Sequence, residues 1–435
     1  MIAKLEALGT ALVNVGKEHR DAPLAALEKE VLEAVRAALP RLLEEVVKSS
    51  TTNLQPALAR WQQACPNCGQ RTQAQSWRPR TVRTICGTIT FERPWFVCEH
   101  CQDNFSPVDA TLELESRTRL SEGTREWIIG LGATTSFAEA AYWLEKLTGL
   151  EVSPETVRQQ TERRGNEFEA AQQVASEQVK KTQEPAEPPD PAPGTLVIET
   201  DGVMVRYLDG WHEVKLGLVA GHLDAEMVAP SYVAARVSAE EFGPRLLAEA
   251  ARRGALEVVG WEGPITQRGL AKLREVVVLG DGSVWIWNLA AEHFGERIEI
   301  LDFYHASEHI WTVAKAIYGE GTVEAKTWAG ERIDDLLKKG AEPVKKALAV
   351  AKAETPEAAE VLRVERGYFR TNAARMDYPT FRAMGLPIGS GAVESSAKYF
   401  VQQRMKRSGA RWSTPGAQAV LNVRGRLLSG LPLAS

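Results

Sequence analysis

The sequence predicts a multidomain α+β protein, and three observations support that prediction. Two Cys-X-X-Cys pairs lie in the first quarter of the chain, a proline-rich acidic segment lies near its middle, and β-rich runs alternate with helical patterns after that segment. With 435 residues the chain is long enough for several domains. Its 44% hydrophobic and 25% charged content are those of an ordinary globular protein.

Membrane and secreted proteins are the classes that the composition excludes. No apolar run approaches the length that spans a bilayer. The first residues, Met1 to Glu6, lack the basic-then-apolar order of a signal peptide. We therefore expect a cytoplasmic protein with no membrane partner.

Charge is distributed unevenly along the chain. The net charge of −5 argues weakly against nucleic acid as a partner. From Glu394 to Arg426, however, seven basic residues accompany a single acid, and five arginines lie between Arg71 and Arg93. Because local basic patches decide where a phosphate backbone binds, nucleic acid stays a candidate partner.

The cysteines predict a metal site. Four of the five form the pairs Cys65–Cys68 and Cys98–Cys101, which can supply four thiolates to one tetrahedral zinc ion. The 29 residues between the pairs alternate like a hairpin around Gly87, as in a zinc ribbon. The alternative is two unrelated cysteine pairs, and His100 could replace one thiolate. Cys86 is expected to be a small buried residue in the middle of a strand.

Helical patterns surround this ribbon. Residues 17–48 carry an apolar stripe that indicates a helix or a helix pair. Residues 136–165 have the pattern of a helix-turn-helix, with a turn at Gly149 and a second helix capped by Ser153. A plain helical hairpin is the alternative. The second helix is expected to expose side chains that reach DNA: Arg158, Gln159, Gln160, Arg163 and Arg164.

The second half of the chain is predicted to contain a sheet. Residues 183–194, "QEPAEPPDPAPG", read as an extended linker. Three β-rich runs follow at 195–208, 212–223 and 226–237, and their short connections permit an antiparallel meander. A helix capped by Ser238, a strand, a helix near Val284–Phe294 and a strand over 297–305 come next. This is the order of a ribonuclease H-like domain.

Single carboxylates end the apolar parts of two of these strands. Asp201 follows the first run, and Asp281 lies between glycines in "VVVLGDGS". A lone Gly-Asp-Gly is also compatible with a plain polar turn. Two divalent ions need bridging carboxylates, because hard cations choose oxygen ligands. Glu394, behind a Gly-Ser-Gly turn, is the third candidate, although a surface ion pair with Lys398 would equally explain it.

The order of these motifs resembles a known family. The motifs T-D-G, L-G-D-G, D-F-Y-H, G-S-G-x-V-E-S and K-R-S-G-x-x-W succeed one another as in the DDE transposases of bacterial insertion sequences. The likeness is greatest to the group named after the IS-Kra element, which is related to the Mutator-like transposases. It covers nearly the whole chain, and its motifs are specific in combination.

The resemblance implies a function. It implies a DNA transposase that cleaves the ends of an insertion sequence and joins the 3′-hydroxyl ends to target DNA by two-metal phosphoryl transfer. Asp201, Asp281 and Glu394 match the catalytic triad, and Asp302 with His305 matches an accessory D-x-x-H signature. The implied cofactors are two Mg²⁺ or Mn²⁺ ions and one structural Zn²⁺. The implied partners are double-stranded DNA, as terminal inverted repeats and target, and a second copy or higher oligomer, in a bacterial or archaeal nucleoid.

Combined with the patterns, the resemblance gives a domain plan. The C-terminal helix is expected to bind phosphates through Lys398, Arg404, Lys406, Arg407 and Arg411. The expected segments are N-terminal helices (1–54), zinc ribbon (55–110), helix-turn-helix region (111–182), linker (183–194), ribonuclease H-like core (195–305), all-helical insertion (306–387), and core with catalytic Glu and basic helix (388–435).

Three other functions compete with this one. A phosphatase of the haloacid dehalogenase type needs an acid two residues after Asp201, where this chain has Val203. A non-catalytic zinc-ribbon and helix-turn-helix regulator would have no use for three acids behind glycine turns. A ribonuclease H-like structure-selective nuclease would share the acids, but not the ribbon or the helical insertion.

Overall fold

The computed structural model describes residues 1–51, 62–115, 118–182, 184–186, 189–258, 271–273 and 276–433. It is a multidomain α+β chain that divides into two compact units, Met1–Thr161 with Leu433–Ser435, and Glu162–Pro432. The expected boundary at residue 54/55 lies outside the described residues. Within them, no helix has both the length and the apolar character needed to cross a membrane.

The described helices are numbered in chain order. They are α1 (Ile2–Glu18), α2 (Leu24–Thr51), α3 (Pro107–Thr111), α4 (Glu122–Thr134), α5 (Phe137–Thr148), α6 (Pro154–Thr182), α7 (Ala239–Arg252), α8 (Val284–His293), α9 (Phe303–Tyr318), α10 (Val323–Lys339), α11 (Ala341–Val350), α12 (Pro356–Thr371), α13 (Tyr378–Ala383), α14 (Gly391–Ser396), α15 (Gln403–Met405) and α16 (Thr414–Leu428). A 3₁₀ turn lies at Ala373–Met376 and a π-helical segment at Ala397–Gln402.

The described strands form four sheets. They are β1 (Gln63–Ala64), β2 (Arg71–Thr72), β3 (Ala74–Thr84), β4 (Gly87–Val97), β5 (Asn104–Phe105), β6 (Thr195–Tyr207), β7 (Gly210–Leu223), β8 (Glu226–Ala235), β9 (Leu256–Val258), β10 (Ala271–Leu273), β11 (Val276–Gly280) and β12 (Arg297–Leu301).

The first unit opens with a helix pair. Asp21, with a φ of 61°, and Pro23 interrupt the helical pattern, so α1 and α2 form where the sequence allowed one helix or two. Leu24, Val31 and Val46 of the apolar stripe are exposed, so the stripe is not the buried face of α2. The buried apolar residue of α2 is Val47, beside the stripe, which joins a hydrophobic cluster that also contains Ile89 of β4.

The ribbon that follows is a hairpin of β3 and β4, and β5 pairs with β4 to complete a three-stranded sheet. β3 and β4 pair antiparallel from Ala74↔Phe96 to Thr84↔Gly87, and alternate residues of β4 are buried, as the alternating sequence predicts. The sequence predicted that Cys86 lies in the middle of a strand, and this prediction is wrong. Cys86 lies with Ile85 in the turn between β3 and β4 and is partly exposed, because the closing pair of the hairpin is Thr84↔Gly87 and the chain therefore turns just before Gly87.

The turn at Gly149 and the start of α6 after Ser153 lie where the sequence marks them, and α6 continues to Thr182, beyond the predicted helix-turn-helix. Ser136 and Glu139 form a capping box on α5, and Gly149 ends that helix with a φ of 74°. The Ser153 hydroxyl accepts the Thr156 N–H over 3.1 Å at the start of α6. The buried contacts of these helices form one small cluster: Leu120, Ile128, Ala140, Ala141, Leu144, Leu150 and Val157.

The second unit contains a five-stranded sheet with the order β12-β11-β6-β7-β8. β6, β7 and β8 are antiparallel neighbours at the three expected β-rich runs. β11 is parallel to both β6 and β12, with Leu279 opposite Glu199 and Gly280 opposite Leu301. β11 is buried along its whole length, because it is an apolar run between two parallel neighbours.

The strand expected over 297–305 is shorter than the sequence suggests. β12 ends at Leu301, and α9 begins at Phe303 with Asp302 as its N-cap. The Asp302 carboxylate accepts the His305 N–H over 2.7 Å, which favours helix over strand from that point. The expected start of the helical insertion at residue 306 therefore falls inside α9.

Residues 189–194, in the expected linker, pack against the second unit. Asp190 N donates to the Arg252 carbonyl over 2.8 Å, and Ala192 N donates to the Arg253 carbonyl over 3.0 Å. Ala192 is only 3% exposed. The boundary between the compact units lies earlier, between Thr161 and Glu162. Residues 183, 187 and 188 of this segment are outside the described part of the chain.

Candidate active site and metal centre

Two of the predicted acids lie side by side at one edge of the sheet. The last paired residues of the parallel strands β6 and β11 are Glu199 and Leu279, and Asp201 and Asp281 each lie two residues further along the chain. Both acids follow buried strand residues and are themselves partly exposed. Asp281 follows the carboxyl end of β11, where ligands bind in open α/β sheets, whereas Asp201 lies within β6, which continues to Tyr207.

The two glycines around Asp281 have separate physical reasons. A Cβ on Gly280 would lie 2.9 Å from Ile286 Cδ1, so the helix that follows packs directly on this position. Gly282 has a φ of 97°, and a Cβ there would meet the Tyr368 hydroxyl at 2.9 Å. The resulting turn lets Ser283 N donate to Asp281 Oδ1 over 2.8 Å.

Glu394 lies near these two acids. It is exposed in the first turn of α14. Burial raises the pKa of Asp201, the Gly202 N–H opposes that shift, and the negative charges of Asp281 and Glu394 add to it, with Glu213 contributing less. The structure thus brings Asp281 and Glu394 each within electrostatic reach of Asp201.

The carboxylates keep oxygens for a cation. Asp201 Oδ1 accepts the Gly202 N–H over 2.6 Å, and Asp281 Oδ1 accepts the Ser283 N–H. Among the described residues, neither Oδ2 accepts a hydrogen bond. The donor set therefore fits a hard divalent cation. The oxygens of the three acids are not within 4.8 Å of one another. Among the described residues, only the four cysteines bring three or more ligand atoms that close together.

Asp302 has a structural role beside this site. It is 1% exposed, and its two carboxylate oxygens accept the N–H groups of His305 and Ser390. Its own N–H donates to the Gly280 carbonyl over 2.9 Å. Asp302 thus joins the end of β11 to the loop before Glu394. His305 is half-exposed on α9 and lies in edge contact with His309, with 5.0 Å between the ring centroids.

Sequence reasoning missed a fourth acid at the site. Glu199 is 1% exposed and lies two residues before Asp201 on β6. Burial raises the pKa of Glu199 to about 8, and the charges of Asp302 and Glu394 act in the same direction. A charged residue inside the apolar run of a central strand was the available signal.

It also missed an aromatic pair next to Asp281. The hydroxyl of Tyr368, on α12, is buried and has no hydrogen-bond partner among the described residues. Its ring stacks on His309 with 3.7 Å between centroids, and His309 Nδ1 lies 2.7 Å from Glu365 Oε2. Burial, then the charge of Asp281, raises the pKa of Tyr368. No sequence motif marks this contact.

The DNA-contact candidates on α6 pair with acids on the same helix. Arg158 Nη2 lies 2.6 Å from Glu155 Oε1, and Arg163 Nε lies 3.1 Å from Glu167 Oε1. Gln159 also donates to Glu155 over 2.8 Å. Arg164, which the helical pattern predicted to be exposed, is 6% exposed. DNA would have to compete with these intrahelical ion pairs.

The basic C-terminal candidates divide into exposed and buried residues. Lys398, Lys406 and Arg411 are exposed and Arg407 is partly exposed. Arg404 is 3% exposed, and its guanidinium lies 4.8 Å from the centroid of the Trp412 ring. Arg404 therefore packs inside the unit and does not present its charge to a phosphate. The π-helical segment at Ala397–Gln402 explains this difference from the sequence expectation, because i→i+5 bonds change which face the following side chains occupy.

The four paired cysteines come together in the first unit. Their sulfurs all lie within 4.8 Å of one another, with 3.6 Å between Cys65 and Cys101 and 3.5 Å between Cys68 and Cys98. Tetrahedral zinc with sulfurs about 2.3 Å away requires sulfur separations of about 3.8 Å. Cys65 and Cys98 are buried, and the other two are partly exposed. This cluster could hold one zinc ion.

The two cysteine pairs have the same local geometry. The Gly69 N–H donates to the Cys65 carbonyl and the Gln102 N–H donates to the Cys98 carbonyl, each over 2.9 Å. Gly69 and Gln102 both have positive φ, 74° and 60°. The backbone N–H of Cys101, ahead of the other causes, lowers the pKa of Cys98 to about 7. Thiolate formation, which zinc binding requires, is thus favoured at Cys98.

Comparison with known proteins gives two matches. A family model described as "Uncharacterised protein family (UPF0236)" matches residues 24–217. A Streptococcus gallolyticus protein described as "UPF0236 protein in vanSb 3'region" is 24% identical over 365 residues, which are 81% of this chain and 73% of that protein. The family match includes the four cysteines and Asp201, and it ends before Asp281 and Glu394. The chain is therefore similar to proteins of the UPF0236 family, whose description names no activity.

Proposed function

We propose that this protein is a DNA transposase of the DDE class. It would cleave the ends of an insertion sequence and join the freed 3′-hydroxyl ends to target DNA by metal-dependent phosphoryl transfer. One observation carries the proposal: Asp201 and Asp281 each lie two residues beyond the last paired residues of the parallel strands β6 and β11, and the charges of Asp281 and Glu394 both raise the pKa of Asp201.

The sheet supports the same proposal. The strand order is β12-β11-β6-β7-β8. β6, β7 and β8 are antiparallel neighbours, and β11 and β12 run parallel to β6 on its other side. A ribonuclease H-like core requires this arrangement. In such a core the first and fourth strands are neighbours. An acid on each strand is therefore available to one ligand, although 80 residues (281 minus 201) separate the two in sequence.

The chain's own groups would hold and orient the reactants. A pair of divalent ions, when bound, activates the attacking oxygen and stabilises the leaving oxygen. Asp201 and Asp281 offer their Oδ2 atoms, while the N–H groups of Gly202 and Ser283 fix the carboxylate planes. Asp302 holds the loop that leads to Glu394. Because both steps are in-line displacements at phosphorus, no covalent bond to the protein is expected.

Double-stranded DNA is the proposed partner. The exposed Lys398, Lys406 and Arg411 follow Glu394 in the chain and suit a phosphate backbone near the acids. The cysteine ribbon and helices α4 to α6 are proposed to bind the terminal inverted repeats. Synapsis of two ends requires a homodimer or a higher oligomer on DNA.

The test is a cleavage and joining assay on DNA that carries the inverted repeats flanking the gene. Wild-type protein with Mn²⁺ should nick the repeat ends and join them to a plasmid. Asp281→Asn keeps the shape and the Ser283 hydrogen bond but loses charge, so both products should fall at least about a hundredfold, roughly 2.7 kcal/mol of barrier. Asp201→Asn and Glu394→Gln should behave in the same way.

Asp334→Asn is the matched control, because this exposed acid lies on α10 and pairs only with a surface lysine, Lys338, 2.6 Å away. It should leave both products unchanged. Asp281→Asn activity within about tenfold of wild type would reduce Asp281 to a turn residue. Cleavage without joining would favour the nuclease alternative, and DNA binding without either product would favour the regulator.

A further inference from the structure

Glu199 is a buried carboxyl that the proposed chemistry does not use. It is 1% exposed in the central strand β6 and lies two residues before Asp201. Residues i and i+2 of a strand lie on the same face of the sheet. Glu199 and Asp201 therefore face the same side.

On that side, Glu199 contacts the helix that carries Glu394. Glu199 Oε2 accepts the Val393 N–H over 2.7 Å, across 194 residues of sequence. Val393 is 2% exposed and immediately precedes Glu394. A buried N–H in the first turn of a helix has no partner within the helix, so this hydrogen bond satisfies a group that would otherwise be costly to bury.

Other helices of this chain satisfy the same N–H locally. Ser136, Ser238 and Ser413 each accept, over 3.2 Å, the backbone N–H three residues further on. At α14 the N-cap is Ser390, and its side chain makes no capping hydrogen bond. The N–H three residues after Ser390 is that of Val393, which Glu199 accepts instead. Helix α14 is capped from a neighbouring strand.

We propose that Glu199 is a positioning residue that caps α14 from β6 and thereby fixes Glu394 with respect to Asp201. Its catalytic consequence rests on the proposed function, but the capping itself does not. The cap needs an acceptor oxygen of the right length and not a negative charge. Glutamine can therefore replace Glu199, because its amide keeps an acceptor oxygen. If Glu199 were a metal ligand, glutamine could not replace it, because the negative charge would be lost.

The experiment compares wild type with Glu199→Gln, which keeps an acceptor, and Glu199→Leu, which removes it at similar volume. Hydrogen exchange of the Val393 amide, followed without metal, reports the cap directly. We expect slow exchange in wild type and Glu199→Gln, and exchange at least about tenfold faster in Glu199→Leu. Ser390→Ala is the matched control for this measurement and should leave exchange at Val393 unchanged.

A second readout tests the positioning of Glu394. Mn²⁺ should raise the Tm of wild type and Glu199→Gln, and it should raise that of Glu199→Leu less. In the cleavage assay, Glu199→Leu should need about tenfold more Mn²⁺ for half-maximal rate, while the rate at saturating Mn²⁺ changes less. A merely structural role would lower the Tm without moving the Mn²⁺ requirement.

Slow Val393 exchange in Glu199→Leu overturns the proposal. So does a Glu199→Gln protein that loses its Mn²⁺ response, since charge and not capping would then matter. Should the leucine variant not fold, Glu199→Ala removes the same acceptor without adding apolar bulk and is measured in its place. If wild type neither cleaves DNA nor responds to Mn²⁺, the proposed function fails, while the exchange of Val393 still decides the cap.

Discussion

The cysteine site and the carboxylate site of this protein are assembled in different ways. Each cysteine pair is one short turn, closed by a backbone hydrogen bond between a residue and its neighbour four positions on. The acids come from two strands and a helix, and they meet only through the register of β6 with β11 and the hydrogen bonds of Asp302 and Glu199. The cysteine sulfurs lie within 4.8 Å of one another, and the carboxylates do not reach that spacing.

The difference shows which kind of site depends on its ion. In the described part of the ribbon, a small cluster of five buried apolar residues packs between β3, β4 and the neighbouring helices. The acids are built on a large sheet whose hydrophobic cluster does not need them. We therefore expect zinc to be part of the fold of the first unit, and divalent ions to be ligands of an already folded second unit.

The largest effect should come from the cysteines. Purified protein should contain about one zinc, and the double variant Cys68→Ser/Cys98→Ser should lose it together with the fold of the ribbon, because structural zinc contributes on the order of 10 kcal/mol. Elemental analysis and a thermal melt are the measurements. Cys86→Ser, which changes the cysteine in the hairpin turn, is the control and should keep its zinc. Full zinc content in the double variant would contradict this assignment.

A smaller effect should appear in the pH dependence of the second unit. The pKa of Glu199 is about 8 when folded, against about 4.3 when unfolded. Between these values the folded state keeps a proton that the unfolded state has released, so the free energy of unfolding falls as the pH rises. From pH 6 to pH 8, metal-free wild type should lose about 2 kcal/mol more than Glu199→Gln.

Urea unfolding at the two pH values, for both proteins, is the measurement. The raised pKa of Asp201 acts in the same direction and is common to both proteins, so the difference isolates Glu199. Equal pH dependence in the two proteins would mean that Glu199 is ionised in the folded state.

The smallest effect concerns DNA binding. Replacing the exposed Lys398, Lys406 and Arg411 by Ala should weaken binding to every DNA sequence and reduce the salt slope by up to about 0.9 per lost phosphate contact. Arg404→Ala should leave the slope unchanged and lower the Tm, because its guanidinium packs on Trp412. Affinities measured from low to high salt test both statements. A slope that changes only in Arg404→Ala would place the DNA elsewhere.

The comparison also explains what the sequence could predict. The cysteine pairs, the Ser153 and Ser238 caps and the three-strand meander are short-range patterns, and the structure contains them. The prediction of a strand over 297–305 was wrong in its last residues, because the capping hydrogen bond of Asp302 favours a helix from that point. Cys86 was wrongly placed in a strand, because the hairpin turns at Ile85 and Cys86, just before the predicted centre at Gly87.

Contacts between distant residues were beyond the reach of such patterns. Glu199 and Val393 are 194 residues apart, and only the folded sheet brings the acceptor to the donor. Arg404 was expected on the surface, because an α-helical wheel does not account for a π-helical segment just before it. The three acids were found from their glycine turns and a family resemblance, whereas the residues that hold them required the fold.

The hydrophobic cluster of the sheet continues without a break into the helices that follow β12. Val277 and Val278 of β11 belong to the same buried cluster as Ile310 of α9, Leu336 of α10 and Phe369 of α12. These helices are therefore part of the core. Deleting them would expose apolar residues of β11, the strand that leads to Asp281. Sheet and helices should melt as one cooperative unit, so a minimal catalytic fragment of this chain has to retain both.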